Sequence, residues 1–127
     1  MRVEASKPTE VFNGCCIVGD IPTEADEKEG SPLMGASGRL LDGMLEECGI
    51  KRSACYITNY VKERPSNNIF ATISKEDLSK YRAELLEEIS IVQPNIIIAL
   101  GEQAYEVLTG YKGITHWRGS VIEVNGT

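Results

Sequence analysis

The sequence predicts an α/β fold, a three-layer α/β/α sandwich on a mostly parallel central sheet. Short apolar runs at Cys15–Val18, Ala54–Asn59 and Asn95–Leu100 alternate with longer segments of helical period. Such alternation is what crossover-connected parallel strands produce, with helices on both faces of the sheet. The run Asn95-Ile96-Ile97-Ile98-Ala99-Leu100 carries no polar residue after its first, which predicts a strand covered on both faces. At 127 residues the chain fits one domain, residues 1–127.

Taken in order, residues 1–13 form a polar lead-in without a period. The first strand, Cys15-Cys16-Ile17-Val18, breaks at Gly19-Asp20-Ile21-Pro22 into an acidic loop, Glu24 to Glu29, closed by Gly30-Ser31-Pro32-Leu33-Met34-Gly35. A helix then runs from Ser37 to Cys48, with Leu40, Leu41, Met44, Leu45 and Cys48 on one face and Gly49 as its stop. The second strand, Ala54–Asn59, leads into the turn formers Arg64-Pro65-Ser66-Asn67-Asn68. Ser74-x-x-Asp77 is close to a capping box and opens a helix with Leu78, Tyr81, Leu85, Ile89 and Val92 at helical spacing, ended by Pro94. After the third strand, Gly101 starts a short helix through Leu108, stopped by Gly110, and Ser120–Val124 is a last strand. Asn125-Gly126 is a strong hairpin signal followed only by Thr127. It reads either as a frayed terminus or as a domain truncated at a turn, with its last core strand and helix missing.

Composition sets outer bounds. Charged residues make up 25% and apolar residues 42%, ordinary for a globular protein, and no run approaches a membrane span or a signal peptide. An intracellular, cytoplasmic protein with no membrane partner is expected. The net charge of −6 opposes a general coat of nucleic acid, yet Lys51-Arg52, Lys62, Arg64 and Lys112 through Arg118 leave room for a local basic groove. Four cysteines form no C-x-x-C pair and there is one histidine, so buried reduced thiols are expected, and neither a metal nor any other cofactor.

A strand ending in a Gly/Pro turn before a helix stands at the carboxyl edge of the sheet, where open α/β folds bind ligands. Gly19-Asp20-x-Pro22, Asp26-Glu27, Gly30-x-Pro32-Leu33-Met34-Gly35 and Ser37-Gly38-x-Leu40-Leu41 follow in one block. Tyr56-Ile57-Thr58-Asn59-x-Val61-Lys62-x-Arg64-Pro65 is a second block. Pro94-x-Ile96-Ile97-Ile98-Ala99-Leu100-Gly101-x-x-Ala104 and Arg118-Gly119 are a third and a fourth. Together they resemble the uracil-DNA glycosylase superfamily, in particular its iron–sulfur branch and related domains of phage DNA polymerases, over about Ile17 to Val124. Some positions depart from that pattern. Glu63 and Tyr81 stand where two cluster cysteines belong, the leading cysteine pair is missing, and Leu33 replaces a stacking Phe. Asp20 replaces a Glu, and a closing His-Pro-Ser is absent; His116, ahead of Arg118-Gly119, is not that histidine.

The resemblance implies hydrolysis of the N-glycosidic bond of a uracil flipped out of DNA, as in base-excision repair, with DNA (uracil-containing or single-stranded) as partner. It makes Asn59 the residue that reads the base. One acceptor and two donors on its amide match uracil N3–H and O4, whereas cytosine offers a donor in place of O4. Asp20 takes the catalytic position, holding water or the nucleotide, helped by backbone N–H groups of the Asp20–Thr23 turn that face O2, and Ile21 and Pro22 of that turn contact the base. Leu33 wedges against the base, and Lys62, Arg64 and Arg118 meet phosphates. Asp26 and Glu27 read as solvated loop acids. Without the closing histidine, little catalysis is expected of this chain unless another segment supplies it, since one anion-stabilising donor is commonly worth about 10²–10³ in rate. The alternative is a non-catalytic DNA- or protein-binding module of phage-replication type, with a replication protein as partner. An unrelated phosphate-binding α/β protein ranks last, because no P-loop or dinucleotide fingerprint is present.

Overall fold

A computed structural model describes residues 2–110 and the backbone of 120–123. Its sheet has the order β2-β1-β3-β4, formed by β1 (Cys15–Gly19), β2 (Tyr56–Asn59), β3 (Ile96–Ala99) and β4 (Ser120–Glu123). β1 runs parallel to both neighbours, with Gly19 in register with Asn59 and Val18 with Ala99, and β4 is antiparallel to β3. The expected mostly parallel sheet is therefore present. Asn125-Gly126 lies outside the described residues.

Alternation along the strands sorts the core into two layers. Cys16, Val18, Tyr56, Ile97 and Ala99 pack with Leu85 and Ile89 of α3 (Lys75–Val92) and Ala104 of α4 (Glu102–Thr109). Cys15, Ile17 and Ile57 face the other way, onto Leu41 and Leu45 of α2 (Ala36–Glu47). The adjacent cysteines thus serve opposite layers, as strand geometry requires. Ser74 caps α3 by accepting from the Asp77 amide, and Gln93 ends it in the left-handed region just before Pro94.

Three expectations need correction. Glu24–Glu29 is a helix, α1, rather than a loop: the Thr23 hydroxyl accepts from the Asp26 amide while the Asp26 carboxylate accepts from the Thr23 amide, and left-handed Gly30 closes the turn. β3 is not covered on both faces. Ile97 and Ala99 are buried, but Ile96 is exposed, because α2 reaches the sheet mainly over β1 and β2. On α2 itself, Leu40 and Cys48 lie on the solvent side of the stripe, which rests on Leu41 and Leu45. The lead-in, polar and without a period, nonetheless contributes to the core and the sheet edge: Ser6 bridges Ile57 of β2, Arg2 bridges Glu63 just past it, and Val3 is buried.

Candidate functional site

The carboxyl ends of β1 and β3 open into a cleft of about 570 Å³, lined by Gly19, Asp20, Ile21, Leu33, Arg39 and Leu100 among others. Directly behind Gly19 and Leu33 lies Asn59, 1% exposed, whose amide Oδ1 and Nδ2 find no hydrogen-bond partner among the described residues. Buried polar atoms are nearly always paired, and leaving one unpaired costs about 1–3 kcal/mol. Gly19 makes this placement possible. A Cβ there would stand 2.5 Å from Asn59 Oδ1 and 3.1 Å from Leu33 Cδ2. Gly19, Leu33 and the Asn59 amide therefore converge on one point, with Gly19 and Leu33 lining the cleft and Asn59 buried behind them, outside its lining.

Leu33 is held there in the left-handed region, at φ 56°, and is 7% exposed. Three contacts fix it. Arg52 Nη2 donates to the carbonyls of Pro32 and Leu33, both at 3.0 Å, while its Nη1 pairs with Asp42 at 2.8 Å. Asp26 Oδ1 accepts from the Met34 amide at 2.9 Å. Gly38 lets the Leu33 carbonyl approach the helix backbone, since a Cβ would lie 1.7 Å from that oxygen. Asp26, 1% exposed, is thus a buried organiser of the turn and not a solvated loop acid. Glu27 pairs with Arg64 Nε at 2.9 Å.

Asp20 lines the cleft, but its carboxylate turns to α4, accepting from the Ala104 amide at 2.7 Å and the Gln103 amide at 3.4 Å. Bare Gly101 gives it room, since a Cβ there would come within 2.2 Å of the carboxylate. Burial pushes the Asp20 carboxyl above its ordinary value, the two backbone bonds oppose this, and Glu102 and Glu106 add to the rise. Ile21 lines the cleft and packs toward the α3–α4 layer; Pro22 is buried and does not line it. Of the expected oxygen-facing amides, that of Thr23 is committed to Asp26 and Pro22 has none.

Lys62 is not a surface cation. It is 2% exposed, and Nζ donates to Glu88 Oε1 at 2.9 Å, Thr58 Oγ1 at 2.8 Å and the Asn59 carbonyl at 2.5 Å. Its ammonium faces the protein interior, so no phosphate can reach it in this arrangement. Arg64 is exposed but stands away from the cleft, beside Glu63 and Tyr81. Arg118 and His116 fall outside the described residues. Sequence reasoning missed Arg39, an exposed cation in the first turn of α2 at the cleft. It also missed Arg52 and Gly38, whose signals were a basic residue beside a 3₁₀ turn and a glycine inside a helical pattern.

Cluster ligation does not fit this donor set. Among the described residues no three His, Cys, Asp or Glu side chains gather to hold a metal. Burial lifts the thiols of Cys15 and Cys16 to about 12, which disfavours the thiolate a cluster needs. Glu63 and Tyr81, where the resemblance expects sulfur ligands, both line one surface pocket.

The Uracil DNA glycosylase superfamily matches residues 13–125. The chain belongs to that superfamily. The Type-4 uracil-DNA glycosylase of Thermotoga maritima is 40% identical over 108 residues, covering 84% of this chain and 55% of that protein. That of Pyrobaculum aerophilum is 40% identical over 92 residues, 72% of this chain and 46% of that protein. The DNA polymerase of Bacillus phage SP01 is 28% identical over 127 residues, 99% of this chain and 13% of that protein. This superfamily member spans about half the length of the glycosylases it matches. Among its described residues no helix is long and apolar enough to cross a membrane.

Proposed function

We propose that this chain binds a uracil extruded from DNA in the cleft at the carboxyl end of β1, where the base reaches past Gly19 and Leu33 to Asn59, and that it serves hydrolysis of the N-glycosidic bond of that base. The observation that carries the reading is the buried Asn59 amide, unpaired among the described residues. A fold gains nothing from such a group, whereas a pyrimidine edge satisfies it: Oδ1 accepts from N3–H and Nδ2 donates to O4. The same donor stabilises the negative charge that gathers on the ring as the bond breaks, in a site where water is excluded. Leu33 forms the wall of the slot, and an entering base displaces or slides along it. Asp20 Oδ2, whose backbone bond is long at 3.4 Å, is the oxygen left to orient a water. DNA as substrate implies work inside the cell.

A second reading, binding without hydrolysis, has one observation in its favour. The stronger bond of Asp20, at 2.7 Å to Ala104, ties the carboxylate to α4. The likeness to a phage DNA polymerase supports a replication protein as its partner. Oligonucleotides carrying a single dU or a single dC separate the readings. Binding preference for dU together with alkali-labile abasic sites supports a glycosylase, preference without cleavage supports the binding module, and equal binding to both refutes the role given to Asn59.

A further inference from the structure

The carbonyl of Asn59 lies on the outer edge of β2, between two backbone bonds that tie this edge to the lead-in: Ser6 amide to Ile57 carbonyl at 2.7 Å and Val3 amide to Lys62 carbonyl at 2.7 Å. Among the described residues no strand reaches the Asn59 carbonyl itself. Lys62 fills the gap with its ammonium, at 2.5 Å. The charge is balanced from α3, where Glu88 takes Lys62 on Oε1 at 2.9 Å and the Tyr56 hydroxyl on Oε2 at 2.5 Å. Thr58 completes the cage, bonded to both Lys62 and Glu88. A buried ion pair seldom adds net stability over apolar residues of similar volume, so its retention calls for another reason; fixing one conformation is the best attested.

We propose that Lys62 is a positioning residue for Asn59: through the Lys62–Glu88–Tyr56 network it anchors the end of β2 and thereby sets the aim of the uracil-reading amide. The inference rests on the reading of Asn59 given above. The other bonds at this strand end hold its inner side, where Tyr60 donates to the Gly19 carbonyl at 2.8 Å and Val61 to the Asp20 carbonyl at 3.0 Å. Lys62 holds the outer side. With both sides pinned, the Asn59 Cα cannot rotate the amide away from Gly19, and one hydrogen-bond orientation is presented to the base.

The test uses the full chain with Lys62→Met, and Ile89→Val as a control that loosens the same layer without touching the network. Two readouts are taken: the ratio of affinities for single-stranded oligonucleotides bearing one dU or one dC, and the NMR resonances of the Asn59 side-chain NH₂. Expected are a fall in the dU:dC ratio of about tenfold or more and a shift of the Asn59 pair in Lys62→Met, with neither in the control. A ratio preserved while both affinities fall equally, or an Asn59 pair that does not move, overturns the proposal. If the unaltered protein shows no preference for dU, the base-reading role of Asn59 fails, and the NMR shift alone decides whether Lys62 positions it. Should Lys62→Met fail to fold, Glu88→Gln, which keeps the shape and removes the counter-charge, is read in the same two ways.

Discussion

Replacing Gly19 by alanine puts the convergence of Gly19, Leu33 and Asn59 to its sharpest test. Gly19 is an ordinary strand residue with no positive φ, so an added methyl meets no backbone penalty there. At such positions Gly→Ala stabilises by about 0.4–1 kcal/mol through the unfolded chain. Against this, the new Cβ would lie 2.5 Å from Asn59 Oδ1 and 3.1 Å from Leu33 Cδ2. Comfortable carbon contacts begin near about 3.5 Å, so the amide must retreat by roughly 1 Å. Overpacking of this kind costs about 1–3 kcal/mol, leaving a net loss of about 0–2.5 kcal/mol and a melting point lower by about 0–10 °C.

Recognition responds far more steeply. An amide displaced by that distance forfeits both bonds to the pyrimidine edge, about 2–4 kcal/mol together, or roughly 30- to 1,000-fold in affinity. Anisotropy titrations of a dU oligonucleotide and its dC counterpart, run beside thermal melts, measure the two effects separately. The expected outcome is a folded protein whose melt falls by no more than about 10 °C, with dU affinity reduced to that for dC. Unchanged dU affinity in a folded Gly19→Ala protein refutes the placement of the base beside Asn59.

Further outcomes follow from the same geometry. Asp20 has a native pKa above its ordinary 3.8, so the native state holds this proton more tightly than the unfolded chain. Its contribution to stability is complete below pH 3.8 and is lost as pH rises through the native value. Asp20→Asn, whose amide oxygen still accepts from Ala104, flattens that part of the stability profile; superimposable melts from pH 3 to 7 count against it. Leu33→Phe adds an aromatic face worth about 1–3 kcal/mol to a stacked base, hence about 5- to 150-fold tighter dU binding by titration. Asn59→Leu keeps the volume and removes two unpaired buried atoms, so urea unfolding shows a gain of about 1–3 kcal/mol while preference for dU disappears.

The layers of the fold are legible in the sequence because the three parallel strands and α3 carry their own signals. Continuous apolar runs mark the strands, and Leu85 and Ile89 mark the buried stripe of α3. Asn59 is legible only through its neighbours, since a strand-end Asn has many ordinary uses. α1 is hidden because Glu24–Glu29 has no apolar period, and its Thr23-x-x-Asp26 box uses Asp where Glu or Gln is the usual signature. Lys62 is misread for a related reason. A lysine just past a strand is exposed by default, and what buries this one is Glu88, 26 residues later on a helix whose register against the sheet no local pattern declares.

The ends of β1 and β2 are put to opposite uses, and hydrogen-bond satisfaction tells them apart. At the end of β1, the Asp20 carboxylate has partners on α4 and the Asp20 carbonyl has Val61. At the end of β2, the Asn59 backbone is held by Lys62, while its side chain alone remains without a partner among the described residues. A carboxylate already bonded to two amides is a poor choice for a mobile base, because taking up a proton weakens the cap on α4. An amide with no partner among the described residues has nothing to lose on binding and two unsatisfied atoms to gain for. Discrimination between bases therefore resides with β2, and any contribution of Asp20 to the chemical step must use Oδ2, the oxygen with the longer of its two bonds.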